Sequence, residues 1–393
     1  MSFNPVRLGY VGCGFMAQSV HLPNFASLPT CKLLALSTAR PRLGELVAER
    51  FGIPRVYRSH QELAENSEIE AVGVSGPFDL QGDIAVDLLR AGKHVFMEKP
   101  MAVSVPQAKR ILAAAEEGNA RLTVAYMKRY DPGNELARAI IARWRASGEM
   151  GRALYARTHN FDLEGDTWSV GLDPNTIITI DEPQEQQRDA ERAYAQKFRN
   201  LPMWLPQEAQ KSYVRYLQIW THSINLLRYL LGAGDNVQVK VVDLDLERLT
   251  GVVVLDIDGI RAVVESGFIA HHHRDDHTQV YFDKGWIHVH EPPFFVKPTQ
   301  AQVEIYEGGE HHSYRRPLAE PFTAWPYREE AAEFVQSIRT GAPSRSSGED
   351  TLADVRIFEE IFRLCLGLPI PMKPPLCSEM IAPPVSGMIS PPV

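Results

Sequence analysis

An α/β fold in two parts is predicted: a doubly wound parallel sheet first, then an α+β domain with an open, largely antiparallel sheet. Three observations predict it. Over roughly the first 125 residues, short apolar runs alternate with helix-like segments. The first of these runs ends in a glycine-rich turn, Gly12-Cys13-Gly14. Beyond residue 236, runs with period-two alternation follow one another, with helical patterns on either side. Length agrees, because a single core rarely grows past about 250–300 residues and this chain has 393.

Taken in order, Val6–Val11 is the first strand, and residues 32–36, 71–74, 94–97 and 122–125 supply four more. Between them, residues 81–91 set Ile84, Ala85, Leu88 and Leu89 at helical spacing and stop at Gly92. Residues 105–118 do the same with Ala108, Ile111, Leu112 and Ala115. Such strand–helix repetition gives a parallel sheet with helices on both faces. Residues 1–126 are expected as the first domain and 127–368 as the second. The second opens on a basic, aromatic link at 127–132, a helix at 134–147 and a strand at 153–159. A polar insertion occupies about 161–210, with a charged helical stretch at 184–199. A helix at 217–231 precedes strands at 237–246, 250–257, 260–270 and 278–282, with a fifth at 285–290. Helices at 327–340 and 351–366 close the domain, and the Pro-rich tail, 369–393, is expected to be extended.

Composition removes some functions. With 41 Lys and Arg against 49 Asp and Glu, the net charge is −8. That argues against a nucleic-acid surface and against docking on an anionic membrane. A small polar substrate stays open, as does a phosphate held by backbone amides. The four cysteines, Cys13, Cys31, Cys365 and Cys377, show no paired spacing. Neither a disulfide framework nor a metal site is expected. No apolar run is long enough to span a bilayer and no signal-peptide pattern is present, so a cytoplasmic location is expected.

The turn after the first strand reads Gly12-x-Gly14-x-x-Ala17. Gly12 allows the tight bend, Gly14 lets the backbone approach a pyrophosphate, and Ala17 permits close helix–strand packing. Phe15 and Met16 begin the helix, whose free N–H groups meet the phosphates. This is the fingerprint of a dinucleotide on a Rossmann fold. Its second strand usually ends in an acidic residue that grips the ribose of NAD. Here it ends Ser37-Thr38-Ala39-Arg40. Hydroxyls and a guanidinium suit a 2′-phosphate, which tilts the cofactor from NAD towards NADP. The alternative is that Arg40 caps a surface loop.

A later strand runs Gly92-Lys93-His94-Val95-Phe96-Met97-Glu98-Lys99-Pro100. Together with the fingerprint, it resembles the signature of the glucose–fructose oxidoreductase / inositol dehydrogenase / MocA family. The resemblance continues through residues 124–133, the helix around His222, residues 270–286 and residues 337–350. It implies hydride transfer between NADP or NAD and a secondary hydroxyl of a sugar, cyclitol or related polyol. It makes Lys99 and His222 the catalytic candidates. A cation at a Rossmann strand end can hold a reacting hydroxyl, and an imidazole can exchange its proton near neutrality. The alternative for His222 is a core histidine bonded to a backbone carbonyl.

On the helix, Gln218, His222 and Asn225 share one stripe. The family often places an Asp where this chain has Gln218, and an amide orients a hydroxyl without relaying a proton. Ser75-Gly76-Pro77 resembles the nicotinamide-ribose contact, and Glu98 and Lys99 join it on the cofactor side. Where the family carries His after that Pro, Asp79 and Gln81 stand here. Tyr126, Lys128, Arg129 and Gln218 complete the substrate candidates. Lys128 and Arg129 read alternatively as a salt-bridged link between domains. The resemblance also implies a homodimer or homotetramer formed through the open sheet face.

His271, His272, His273 and His277 cluster between the strands predicted at 260–270 and 278–282, and in an extended chain neighbours alternate, so that of the first three only His271 and His273 share a face. A solvated or interface strand is the reading. Trp168 and Trp204 in the insertion are candidates to stack on a sugar ring, or to pack in the core. Two other functions stay open: a redox-neutral glycosidase-type reaction, and a dinucleotide-binding regulator without catalysis.

Overall fold

The computed structural model describes residues 4–163, 177–180, 199–269, 274–297, 299–321 and 324–370. The charged stretch at 184–199 (its last residue aside), Trp168, His271 to His273 and the tail from 371 lie outside the described residues. Among the described residues no helix is long and apolar enough to cross a membrane.

Six strands form the first sheet: β1 (Val6–Val11), β2 (Cys31–Ser37), β3 (Arg55–Tyr57), β4 (Ala71–Val74), β5 (His94–Glu98) and β6 (Leu122–Ala125). Their order is β3-β2-β1-β4-β5-β6 and every pairing is parallel. A parallel sheet is covered on both faces, which is why β4 and β6 are buried at every position. The covering helices are α1 (Leu22–Ser27), α2 (Pro41–Phe51), α3 (His60–Glu65), α4 (Phe78–Arg90) and α5 (Val105–Glu117). Strand order reverses between β1 and β4, so a crevice opens beyond their carboxyl ends.

After a short helical turn, Met127–Tyr130, and helix α6 (Pro132–Ser147), the chain enters the second sheet. It holds β7 (Ala153–Leu163), β8 (Val237–Asp245), β9 (Thr250–Ile257), β10 (Ile260–Ile269), β11 (Asp275–Phe282), β12 (Gly285–His290), β13 (Gln302–Glu307) and β14 (Ser313–Arg315). The order is β14-β13-β12-β11-β7-β10-β9-β8. Only the β7–β10 pairing is parallel among those described. One face packs on α6 and α7 (Gln207–Leu231), burying Trp144, Trp220, Val264, Val280 and Ile287. The opposite face carries rings instead: Trp286 stacks 4.0 Å from His288 and 5.8 Å from Tyr306, and His159 stacks 4.8 Å from His277.

Two boundaries differ from expectation. Helix α7 begins ten residues before the predicted 217, because Ala209, Tyr213, Val214 and Tyr216 continue its apolar side into the core. The last two helices, α8 (Pro326–Thr340) and α9 (Gly348–Cys365), return to the first domain. There Ala331, Phe334 and Val335 enter the core under β1, and Val355 packs with Leu122 and Val124. Residue 126 therefore ends a sheet but not a packing unit.

Candidate active site

The site begins where β1 ends. Gly12 has φ +104°, and a Cβ there would stand 2.1 Å from the Ser75 carbonyl oxygen. Only glycine fits, because the turns after β1 and β4 touch. At Gly14 a Cβ would meet nothing within 4 Å, so that backbone lies open to a ligand. The buried Gln18 amide holds the turn by donating to Cys13 O at 2.8 Å. Tyr10 Oη donates to Ser75 Oγ at 3.0 Å, tying the facing turn in place.

An open cleft of about 1170 Å³ runs from this turn across the molecule. Gly12, Gly14, Phe15, Met16, Ser37, Thr38, Arg40, Ser75, Gly76, Pro77, Glu98 and Lys99 all border it. Gln218 and His222 border it from the other side. At the Arg40 end, Nε and Nη2 of the guanidinium are enclosed with no hydrogen-bond partner. Arg58, Ser59 and His60 lie beside it on the cleft wall. The sequence pattern did not expose these three, because β3 is only three residues long and left no strand signal to place them.

At the other end, β5 delivers Lys99. Glu98 Oε1 is 2.7 Å from His21 Nε2, and its other oxygen accepts from the Lys99 N–H at 3.2 Å. One buried amide brackets the lysine: Gln81 Nε2 donates to Glu98 O at 2.9 Å and to Pro100 O at 3.0 Å. The intervening Lys99–Pro100 bond is cis. Lys99 Nζ donates to the backbone carbonyl of Gln218 at 3.2 Å. Burial draws the Lys99 ammonium below its ordinary value, partly offset by Glu98 and Asp162.

Helix α7 turns Arg215, Gln218, Ile219 and His222 towards the cleft on one face. His222 lies edge-on to Tyr126, with ring centres 6.3 Å apart, and 5.7 Å from the Phe294 ring. Burial, and then the cations Lys99, Lys128 and Arg274, hold its imidazole well below the usual range. It is therefore neutral at pH 7 and able to accept a proton. Asp162, at the cleft edge, has an oxygen 3.7 Å from Arg274 Nε. Asp162, Arg215, Phe268, Phe294, Phe295 and Tyr327 are cleft residues that no motif marked. The alternation of β7 and the three-residue step from Gln218 back to Arg215 are the signals that could have found the first two.

The remaining candidates are set apart from the cleft. Tyr126 is buried behind His222, its hydroxyl 2.6 Å from Thr221 Oγ1. Lys128 Nζ is spent on Asp276 Oδ2 at 2.7 Å, with both side chains enclosed. Arg129 pairs with Asp350 at 2.6 Å and donates to Asn225 Oδ1 and Arg345 O, each at 2.7 Å. Buried cations require such partners, and all of these partners lie within residues 127–368. Asn225 leaves the polar stripe for the same network, donating to Asp354 at 2.6 Å. Trp204 packs inward, its Nε1 3.3 Å from Glu359.

Residues 6–126 match the model described as an oxidoreductase family with an NAD-binding Rossmann fold. Myo-inositol 2-dehydrogenase of Thermotoga maritima is 23% identical over 359 residues, covering 88% of this chain and 92% of that protein. Among solved structures, aldose-aldose oxidoreductase from Caulobacter crescentus superposes with a TM-score of 0.70 at 21% identity, covering 93% and 98% of the two chains. A 3-ketoreductase from Actinomadura kijaniata, solved with NADP and TDP-benzene, gives 0.66 at 21% identity, covering 91% and 97%. Residues 6–126 carry the NAD-binding Rossmann domain of the glucose–fructose oxidoreductase / inositol dehydrogenase / MocA family of oxidoreductases.

Proposed function

We propose that this protein transfers hydride between NADP and a secondary hydroxyl of a sugar, cyclitol or related polyol. One observation carries the reading: the dinucleotide turn and the Lys99–His222 pair border the same cleft. The dinucleotide, when bound, takes up or supplies the hydride. Lys99, held by Gln81 and Gln218 O, offers an ammonium that binds the reacting oxygen and stabilises negative charge on it. Neutral His222 accepts the hydroxyl proton in oxidation and returns it in reduction. Gln218 orients a neighbouring hydroxyl. Asp162 answers the Lys99 charge, a task the family's Asp at position 218 would otherwise share. NADP is favoured over NAD because Arg40 leaves enclosed donors unpaired, with Ser37, Thr38 and Arg58 beside it. The solved 3-ketoreductase holds NADP, which supports the same choice.

The test is a panel of sugars and cyclitols with both cofactors, followed by nicotinamide absorbance. Lys99→Ala and His222→Ala are each expected to lower kcat/KM by about 10²–10⁴. Full activity in both variants overturns the assignment. Product formation without net change in the cofactor would favour the redox-neutral reaction instead.

A further inference from the structure

We propose that the substrate carries an oxyanion, a carboxylate or phosphate on a monosaccharide, and that Arg215 binds it. The inference rests on the reading of the cleft as a sugar oxidoreductase site. Arg215 stands two turns before His222 on the same face of α7, and both border the cleft. Two turns rise about 10 Å, and Lys99 Nζ contacts Gln218 O between them. Arg215 thus lies on the order of one hexose ring from the reacting centre. Its guanidinium carbon is 4.7 Å from the centre of the Phe268 ring, within cation–π range. Its Nε is enclosed without a hydrogen-bond partner. Among the described residues Arg215 forms no ion pair, whereas the nearby Asp162 is engaged by Arg274. An enclosed donor left unmade is costly, and the planar fork of Arg matches carboxylate and phosphate in two-point contact. A neutral sugar would leave this charge unanswered.

Calorimetric titrations into the full-length protein saturated with NADP test the idea. Matched sets are used: glucose, glucuronate and glucose 6-phosphate, and the corresponding galactose series. One of the two anionic forms is expected to bind at least ~30-fold tighter than its neutral parent, the strength of a charged hydrogen-bond pair. Which form wins tells carboxylate from phosphate. Arg215→Gln should abolish the preference and Arg215→Lys keep part of it, while NADP affinity, set at Gly12 and Arg40, reports that both variants are folded. No preference in either series, or one that survives Arg215→Gln, overturns the proposal. Hydride transfer is followed in the same samples. Its absence with every sugar would sink the oxidoreductase reading, yet Arg215-dependent anion binding would still stand.

Discussion

Burial, and then the three cations facing it, hold the His222 imidazole well below the usual range, so it stays neutral where a solvated histidine would be partly protonated. Lys99 is drawn down as well, so it loses its proton earlier than a surface lysine. Oxidation needs the imidazole neutral and the ammonium charged. The kcat/KM plateau should therefore open below the ordinary imidazole value of about 6.5 and close below the ordinary lysine value of about 10.4. A pH profile whose acid limb lies above 6.5 would contradict the assignment of the base. On the proposed reading Arg40, at the other end of the cleft, separates the cofactors. Arg40→Ala is expected to weaken NADP by roughly 10–100-fold, the worth of charged hydrogen bonds, while NAD changes little. Equal weakening of both would leave Arg40 a structural role only.

Helices and strands show why some of this could be read from sequence and some not. Strand β1, its turn and the end of β5 lie in consecutive residues, so a local pattern exposes them. Gln81 could not be read that way. It sits on α4, seventeen residues before Glu98, and its part is to bracket a lysine on another element. Replacing it by Leu keeps the volume but leaves two buried carbonyls unpaired. Gln81→Leu should cost about 1–3 kcal/mol of stability and lower kcat more than KM, because Lys99 loses its fixed position. A KM effect alone would mean that Gln81 serves substrate binding instead. Lys128 and Arg129 failed as cleft residues for a related reason. Their carboxylate partners, Asp276 and Asp350, lie more than a hundred residues away, so nothing local shows that these charges are already taken.

At the scale of the whole molecule, the two sheets were legible because their periodicities differ, one nearly continuous and one alternating. Their union was not, since α8 follows the second sheet in sequence yet enters the core of the first, and α9 packs on both. The half-buried rings on the open face of the second sheet form a broad apolar-aromatic surface around Trp286, His288 and Tyr306. We expect that face to join copies of the chain, and sedimentation should find a dimer or tetramer. Trp286→Glu places a charge in its midst and is expected to return the protein to monomers. An unchanged mass would assign the association, if any, to another surface.

The unpaired guanidinium of Arg40 reaches beyond affinity. Its Nε and Nη2 find no partner within the protein, and an anion that binds them favours the folded state alone. A 2′-phosphate bound there shifts the balance between folded and proteolytically vulnerable chains by mass action. On the proposed reading, the chain's resistance to a protease therefore rises with added NADP more than with added NAD, so that the cofactor governs how long the protein lasts as well as what it does.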